Sequence, residues 1–117
     1  MKNYVTDTFT VEKKVHAAGG KGHIIVKHYL GKEELNGKCG LFAEVTIPVG
    51  CSLGVHEHTG NSETYCILKG HGIYNDNGTE CEIGPGDLTF TPNGFKHGLD
   101  NTNGSEDIVF TALIIND

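Results

Sequence analysis

The sequence predicts an all-β fold, and three observations carry that prediction. Glycine makes up 17 of the 117 residues, against one methionine and no tryptophan. Short runs rich in β-branched and aromatic residues recur along the chain, which favours extended backbone. Turn residues (Gly, Asn, Asp, Pro) interrupt these runs about every ten residues, the spacing of a sandwich or barrel with eight or nine short strands. Helix is a minor component. No internal repeat is visible, so the chain reads as one barrel in a single small domain.

Taken in order, residues 1–22 are polar around a candidate strand at Thr8–Val15, and they end in the flexible stretch Ala17-Ala18-Gly19-Gly20-Lys21-Gly22. His23–Leu30 alternates and reads as a strand; Gly31–Gly37 reads as a loop or single turn. Leu41–Pro48 is a clearer strand, with Leu41, Ala43, Val45 and Ile47 on one face and Phe42, Glu44 and Thr46 on the other. A hairpin follows: His56 and His58 lie two apart and so share a face, Thr59–Ser62 turns, and Glu63–Leu68 returns. Ile73-Tyr74 leads into Asn75-Asp76-Asn77-Gly78, whose Asn and Gly tolerate positive φ and favour a tight turn into Thr79–Ile83. Gly84–Asp87 turns into Leu88–Thr91, Pro92-Asn93-Gly94 turns into the His97 segment, and Ile108–Ile115 is an apolar closing strand.

Charge narrows the partners. The formal charge is −6, and all nine basic side chains are lysines with no arginine, so the basic stripe that nucleic acid requires is missing. No apolar run approaches the span of a bilayer, and the first residues lack a signal-peptide core, which predicts a cytoplasmic protein without membrane contact. Cys39, Cys51, Cys66 and Cys81 show no CxxC pairing and are expected as reduced, buried, hydrophobe-like thiols.

Two strings carry the chemistry: Gly50-x5-His56-x-His58-x4-Glu63-x6-Gly70, then Gly86-x5-Pro92-x-Gly94-x2-His97-x3-Asn101. The first places two imidazoles and a carboxylate around one hairpin. The second brings a third imidazole after a turn that could carry it to the same point. These strings resemble both sequence motifs of the cupin superfamily at every fixed position, and the chain is most similar to its small single-domain members. The resemblance is tight over Gly50–Asn101 and extends to the C-terminus. It implies a jelly-roll barrel of antiparallel strands (a double-stranded β-helix), with residues 1–38 as an N-terminal arm and first strands and residues 39–117 as the barrel core of one domain overall. It also implies a homodimer.

By the same resemblance His56, His58, Glu63 and His97 bind one divalent transition metal inside the barrel. Nitrogen and oxygen ligands suit Fe, Mn, Ni, Co or Zn, and ligand type does not choose among them. Burying three imidazoles and a carboxylate without a cation would leave costly unpaired polar groups. Tyr65, two residues beyond Glu63 on the same face, is the candidate catalytic acid or base, with a barrel-filling aromatic as the plainer reading. Phe90, Phe95, Phe110 and Ile67 are candidates for an apolar pocket wall or for core. Glu44 is expected to face solvent or a subunit contact, and Lys96 is the one cation near the site by sequence. His16, His23, His28 and His71 lack ligand-like spacing and read as surface or loop.

The functional expectation is a metal-dependent enzyme of the oxygenase or Lewis-acid isomerase/lyase kind, acting on an oxygen-rich small molecule. A non-catalytic module that uses the metal to bind or sense a small molecule is the alternative, and a metal-free structural barrel is a third. Without arginine a phosphosugar is disfavoured.

Overall fold

A computed structural model describes residues 9–117. It contains ten strands: β1 (Thr10–Val15), β2 (His23–His28), β3 (Cys39–Ile47), β4 (Ser52–Glu57), β5 (Asn61–Lys69), β6 (Gly72–Asp76), β7 (Thr79–Ile83), β8 (Leu88–Thr91), β9 (Lys96–Asp100) and β10 (Ile108–Asn116). That is one or two more than the spacing of turns predicts. The predicted strand start at Thr8 lies outside the described residues. A single helical turn, α1 (Lys32–Leu35), occupies the predicted loop; its start is closed by Glu34, whose Oε1 accepts from the Gly31 N–H at 2.8 Å. Asn36 then leaves the helix in the left-handed region.

The strands form two antiparallel sheets, ordered β1-β2-β3-β10-β5-β8 and β4-β9-β6-β7, which face each other as a jelly roll. Alternation along the larger sheet builds inward rows across the strands. Val26, Val45, Phe110 and Ile67 form one row, and Ala43, Ala112, Tyr65 and Thr89 the next. Leu41, Ile114, Glu63 and Thr91 form the third. Ile67 of the first row and Ala43 of the second are core, while Val26, Val45 and Phe110 of the first, Ala112 and Tyr65 of the second and Leu41, Ile114 and Glu63 of the third border one cavity.

The four motif glycines Gly50, Gly70, Gly86 and Gly94 have φ between 84° and 91°, a region that a side chain disfavours. Elsewhere glycine serves close approach. Gly20 lies flat against Ser52 and Gly54 of β4, and a Cβ on Gly20 or Gly54 would collide with the opposing backbone carbonyl. This contact pins the 3-10 turn Ala17–Gly19 against β4 beside the hairpin. No helix of the described residues is long and apolar enough to cross a membrane.

Candidate metal centre

Three elements deliver the four predicted side chains to one point. His56 near the end of β4 lies in register opposite His97 of β9, so the strand ladder itself sets two imidazoles side by side. His58 falls one residue past the end of β4, yet its backbone continues the ladder: its N–H donates to Phe95 O at 3.0 Å and its C=O accepts from Gly94 N–H at 2.7 Å. The two-residue alternation therefore survives beyond the strand. Glu63 arrives from β5 across the interior. His58, Glu63 and His97 are buried, His97 with no exposed surface, and His56 stands at the rim.

His97 Nε2 lies 3.1 Å from His56 Nε2, 3.0 Å from His58 Nε2 and 3.0 Å from Glu63 Oε1. His58 Nε2 to Glu63 Oε1 is 2.9 Å, and His56 Nε2 to Glu63 Oε1 is 3.9 Å. Atoms held at right angles on one ion, each about 2.1 Å from it, lie about 3.0 Å apart. The four separations of 2.9–3.1 Å fit that arrangement and the 3.9 Å separation of His56 from Glu63 is wider, so the cluster could hold one metal ion.

The outer nitrogens explain why lone pairs point inward. His56 Nδ1–H donates to the Gly54 carbonyl at 2.8 Å, and His58 Nδ1–H donates to Asn61 Oδ1 at 2.7 Å. Both acceptors fix the proton on Nδ1 and leave Nε2 bare. His97 Nδ1 sits 2.8 Å from Thr91 Oγ1 and 2.9 Å from Tyr74 OH, two hydroxyls that can each accept its proton. Neutral rings so oriented aim three lone pairs and a carboxylate at one another. Only a cation, whether proton or metal, relieves that repulsion.

Titration behaviour follows the same field. Burial raises the Glu63 carboxyl, but hydrogen bonds with His56 and His97 and the charges of His97 and His58 outweigh it and hold the group at about 2. Burial pushes His97 down, only partly countered by Glu63. Burial also pushes on His56, yet there the Glu63 contact and the Gly54 carbonyl prevail and its basicity rises. Tyr65, fully interior, is raised well above the usual phenol range, first by burial and then by the Glu63 charge. Its hydroxyl lies 3.3 Å from His97 Nε2, and its ring stacks on His97 at a centroid distance of 4.7 Å.

A cavity of about 290 Å³ opens beside the cluster. His56, His58, Glu63 and Tyr65 line its polar end; Ile24, Val26, Val45, Leu53, Phe110 and Ile114 form most of its wall. Lys14 of β1 stands at the mouth, 51% exposed, with Glu12 Oε1 3.9 Å from its ammonium. This corrects the expectation for Lys96, which is exposed; as the neighbour of His97 on one strand it points to the opposite face. Phe110 does line the cavity. Phe90 and Phe95 are exposed, and Ile67 is core away from the wall. Glu44 faces outward, with Tyr29 OH donating to it at 3.4 Å. All four cysteines are free; Cys51 is buried, Cys39 and Cys66 are half-buried, and Cys81 is exposed on the edge strand β7, although it shares a face with buried Ile83 and lies opposite buried Tyr74.

Lys14, Thr91 and Tyr74 are the site residues that sequence reasoning missed. Thr91 shares the alternation of β8 with Thr89, a parity signal that was available. Lys14 and Tyr74 depend on which strands become neighbours: β1 beside β2, and β6 beside β9.

Comparison with known proteins agrees with this architecture. A family model described as a cupin domain matches residues 43–114. The oxalate-binding protein of Thermotoga maritima is 42% identical over 106 residues, covering 91% of this chain and 87% of that protein. A Thermotoga maritima crystal structure described as a predicted oxalate decarboxylase superposes with a TM-score of 0.88 at 41% identity, over 93% of this chain and 94% of the other. A cupin 2 conserved barrel domain protein from Rhodopseudomonas palustris shares the fold at a TM-score of 0.76, with 18% identity over 95% and 75% of the two chains. With barrel, cluster and sequence all pointing one way, the chain belongs to the cupin domain family.

Proposed function

We propose that this cupin binds a small chelating carboxylate, with oxalate as its simplest representative, through one divalent transition metal held by His56, His58, Glu63 and His97. The observation that carries the reading is the convergence of four ligand atoms at one end of an apolar-walled cavity with a lysine at its mouth. Such an ion supplies Lewis-acid attraction for two carboxylate oxygens. Glu63 cancels one of its charges, and a dianion then leaves a single negative charge that Lys14 can balance. The 42% identical relative carries the name oxalate-binding protein, which supports the same chemistry.

Binding is placed before catalysis on account of the proton-transfer groups. Among the described residues, apart from the cluster, the cavity lining offers only Tyr65 and Lys14 for proton transfer, and Tyr65 is held in its protonated form by burial. One observation favours the second reading, a Lewis-acid enzyme in which Tyr65 donates a proton: its hydroxyl already stands at the edge of the cluster. The test is to measure metal content after purification without added salts, then oxalate binding and consumption with and without oxygen. Binding without turnover supports the first reading. Turnover that falls about a hundredfold or more in Tyr65→Phe supports the second. Absence of both metal and binding rejects both.

We further propose a homodimer. Leu88 and Phe90 on the edge strand β8 are 68% and 59% exposed, an apolar edge that needs cover. A monomeric mass by light scattering at micromolar concentration overturns this.

A further inference from the structure

We infer that the cavity is shaped for a ligand larger than oxalate: a 2-oxo monocarboxylate whose chelating head faces the four-residue cluster and whose apolar body lies along the aliphatic wall. This rests on the chelating-carboxylate reading above. The first argument is size. Even at water's share of about 30 Å³ per heavy atom, the six heavy atoms of oxalate occupy no more than about 180 Å³. The cavity offers about 290 Å³.

The second argument is the distribution of polarity. Polar groups gather at one end, in His56, His58, Glu63 and the Tyr65 hydroxyl, with Lys14 alone at the mouth. Between them the lining contributed by the described residues is alanine, valine, leucine, isoleucine and phenylalanine, with no serine, threonine, asparagine or glutamine among them. Oxalate has no C–H surface, so such a wall gains nothing from it. A sugar fits no better, because each hydroxyl against that wall would lose its water partners without replacement. An amphipathic pocket selects an amphipathic ligand. A 2-oxo acid presents two oxygens on adjacent carbons, as oxalate does, and then continues as hydrocarbon.

The third argument is charge. The ion and Glu63 leave one positive charge, which a monocarboxylate neutralises by itself. Lys14 then keeps its neighbour Glu12, and nothing at the mouth is left unbalanced.

The experiment is calorimetric titration of the Mn(II)-loaded protein with oxalate, pyruvate, 2-oxobutyrate, 2-oxo-4-methylpentanoate and phenylpyruvate. Each methylene moved out of water tightens binding roughly fourfold. The expected result is therefore a Kd at least tenfold lower for 2-oxo-4-methylpentanoate than for pyruvate, with a heat-capacity change that grows more negative along the series. Leu41→Asn, which polarises the wall, should flatten the series; Leu53→Asn on the opposite sheet does the same if the first variant folds poorly. A series that is flat or weakening in the wild-type protein, with oxalate and pyruvate still bound, overturns the inference and leaves the carboxylate reading standing. Failure of oxalate and pyruvate alike to bind the loaded protein overturns the reading beneath it, and the inference with it.

Discussion

Two cavities of about 290 Å³ each open on this barrel, and they differ in their linings and in where their polar groups point. The one beside the cluster lies between the sheets, with an apolar wall and all its ligand atoms turned to one point. The other is a hollow formed by β6, β7, the end of β9 and the loop before β10, lined by His71, Glu82, Asp100 and Glu106. It holds acids and an imidazole, the same side-chain types as the metal centre. Among the described residues, however, the only group of such side chains with converging ligand atoms is His56, His58, Glu63 and His97. What separates a site from a hollow is therefore direction and burial, imposed by strands whose alternation leaves the side chains nowhere else to point.

Metal removal should break the comparison most visibly. Dialysis against a chelator is expected to lower the Tm of the wild-type protein by about 10 °C, since an ion bound at 100 to 1,000 times its Kd stabilises by about 3–4 kcal/mol. His97→Ala should abolish stoichiometric metal and show no further loss on chelation. His71→Ala, in the surface hollow, should change neither metal content nor the chelator effect. Equal metal loss in both variants, read by elemental analysis, would erase the distinction between the cavities.

Thr91→Val probes the support behind the cluster. Thr91 Oγ1 accepts from His97 Nδ1 at 2.8 Å and also lies 3.0 Å from Tyr74 OH, so the hydroxyl orients the ring from behind. Losing such an outer partner is expected to weaken metal affinity about 10–100-fold while the fold persists. Unchanged affinity in a chelator competition would assign the orienting role to Tyr74 alone.

These two tests also mark how far the sequence could be read. Three of the four cluster residues were legible because their spacing is local: His56 and His58 share a strand face, and Glu63 follows one hairpin turn later. His97 was legible only through its resemblance to a known motif, since no local rule says that β9 pairs with β4. The same limit hid Lys14 and favoured Lys96, which is adjacent to His97 in sequence and turned away from it in space. Phe90 failed as a wall residue for a related reason: hydrophobicity suggests burial, but the parity of β8 had already committed its inward positions to Thr89 and Thr91, while Phe95 lies in the exposed turn before β9. The cavity itself was invisible, because its wall is assembled from residues of β2, β3, β4, β5 and β10 that meet only in the folded sheets.

A smaller effect is expected at the mouth. Lys14→Met should weaken oxalate binding to the loaded protein about three- to tenfold, the contribution of one partly solvated charge pair, and the loss should shrink with added salt. Metal affinity should stay as it is. Salt-independent weakening would mean that Lys14 acts through packing of β1 and not through its charge.

Glu12→Gln gives the smallest and most discriminating shift. Glu12 Oε1 accepts from His28 Nε2 at 2.7 Å, and this hydrogen bond, ahead of weak opposing desolvation, holds the carboxyl below its usual value of 4.5. A depressed carboxylate stabilises the fold above its unfolded value and loses that contribution as pH falls through its folded value. The pair is largely exposed, so the effect is at most about 0.5 kcal/mol, or about 2 °C in Tm at pH 7, and it should vanish as the pH falls through the folded value. Oxalate affinity should move the other way. Glu12 is also the acid nearest Lys14, and removing its charge frees the ammonium for the ligand, which should tighten binding by up to about twofold at low salt. Opposite signs for stability and affinity would show that Glu12 competes with the ligand for Lys14; a fall in both would show instead that Glu12 holds Lys14 over the cavity mouth.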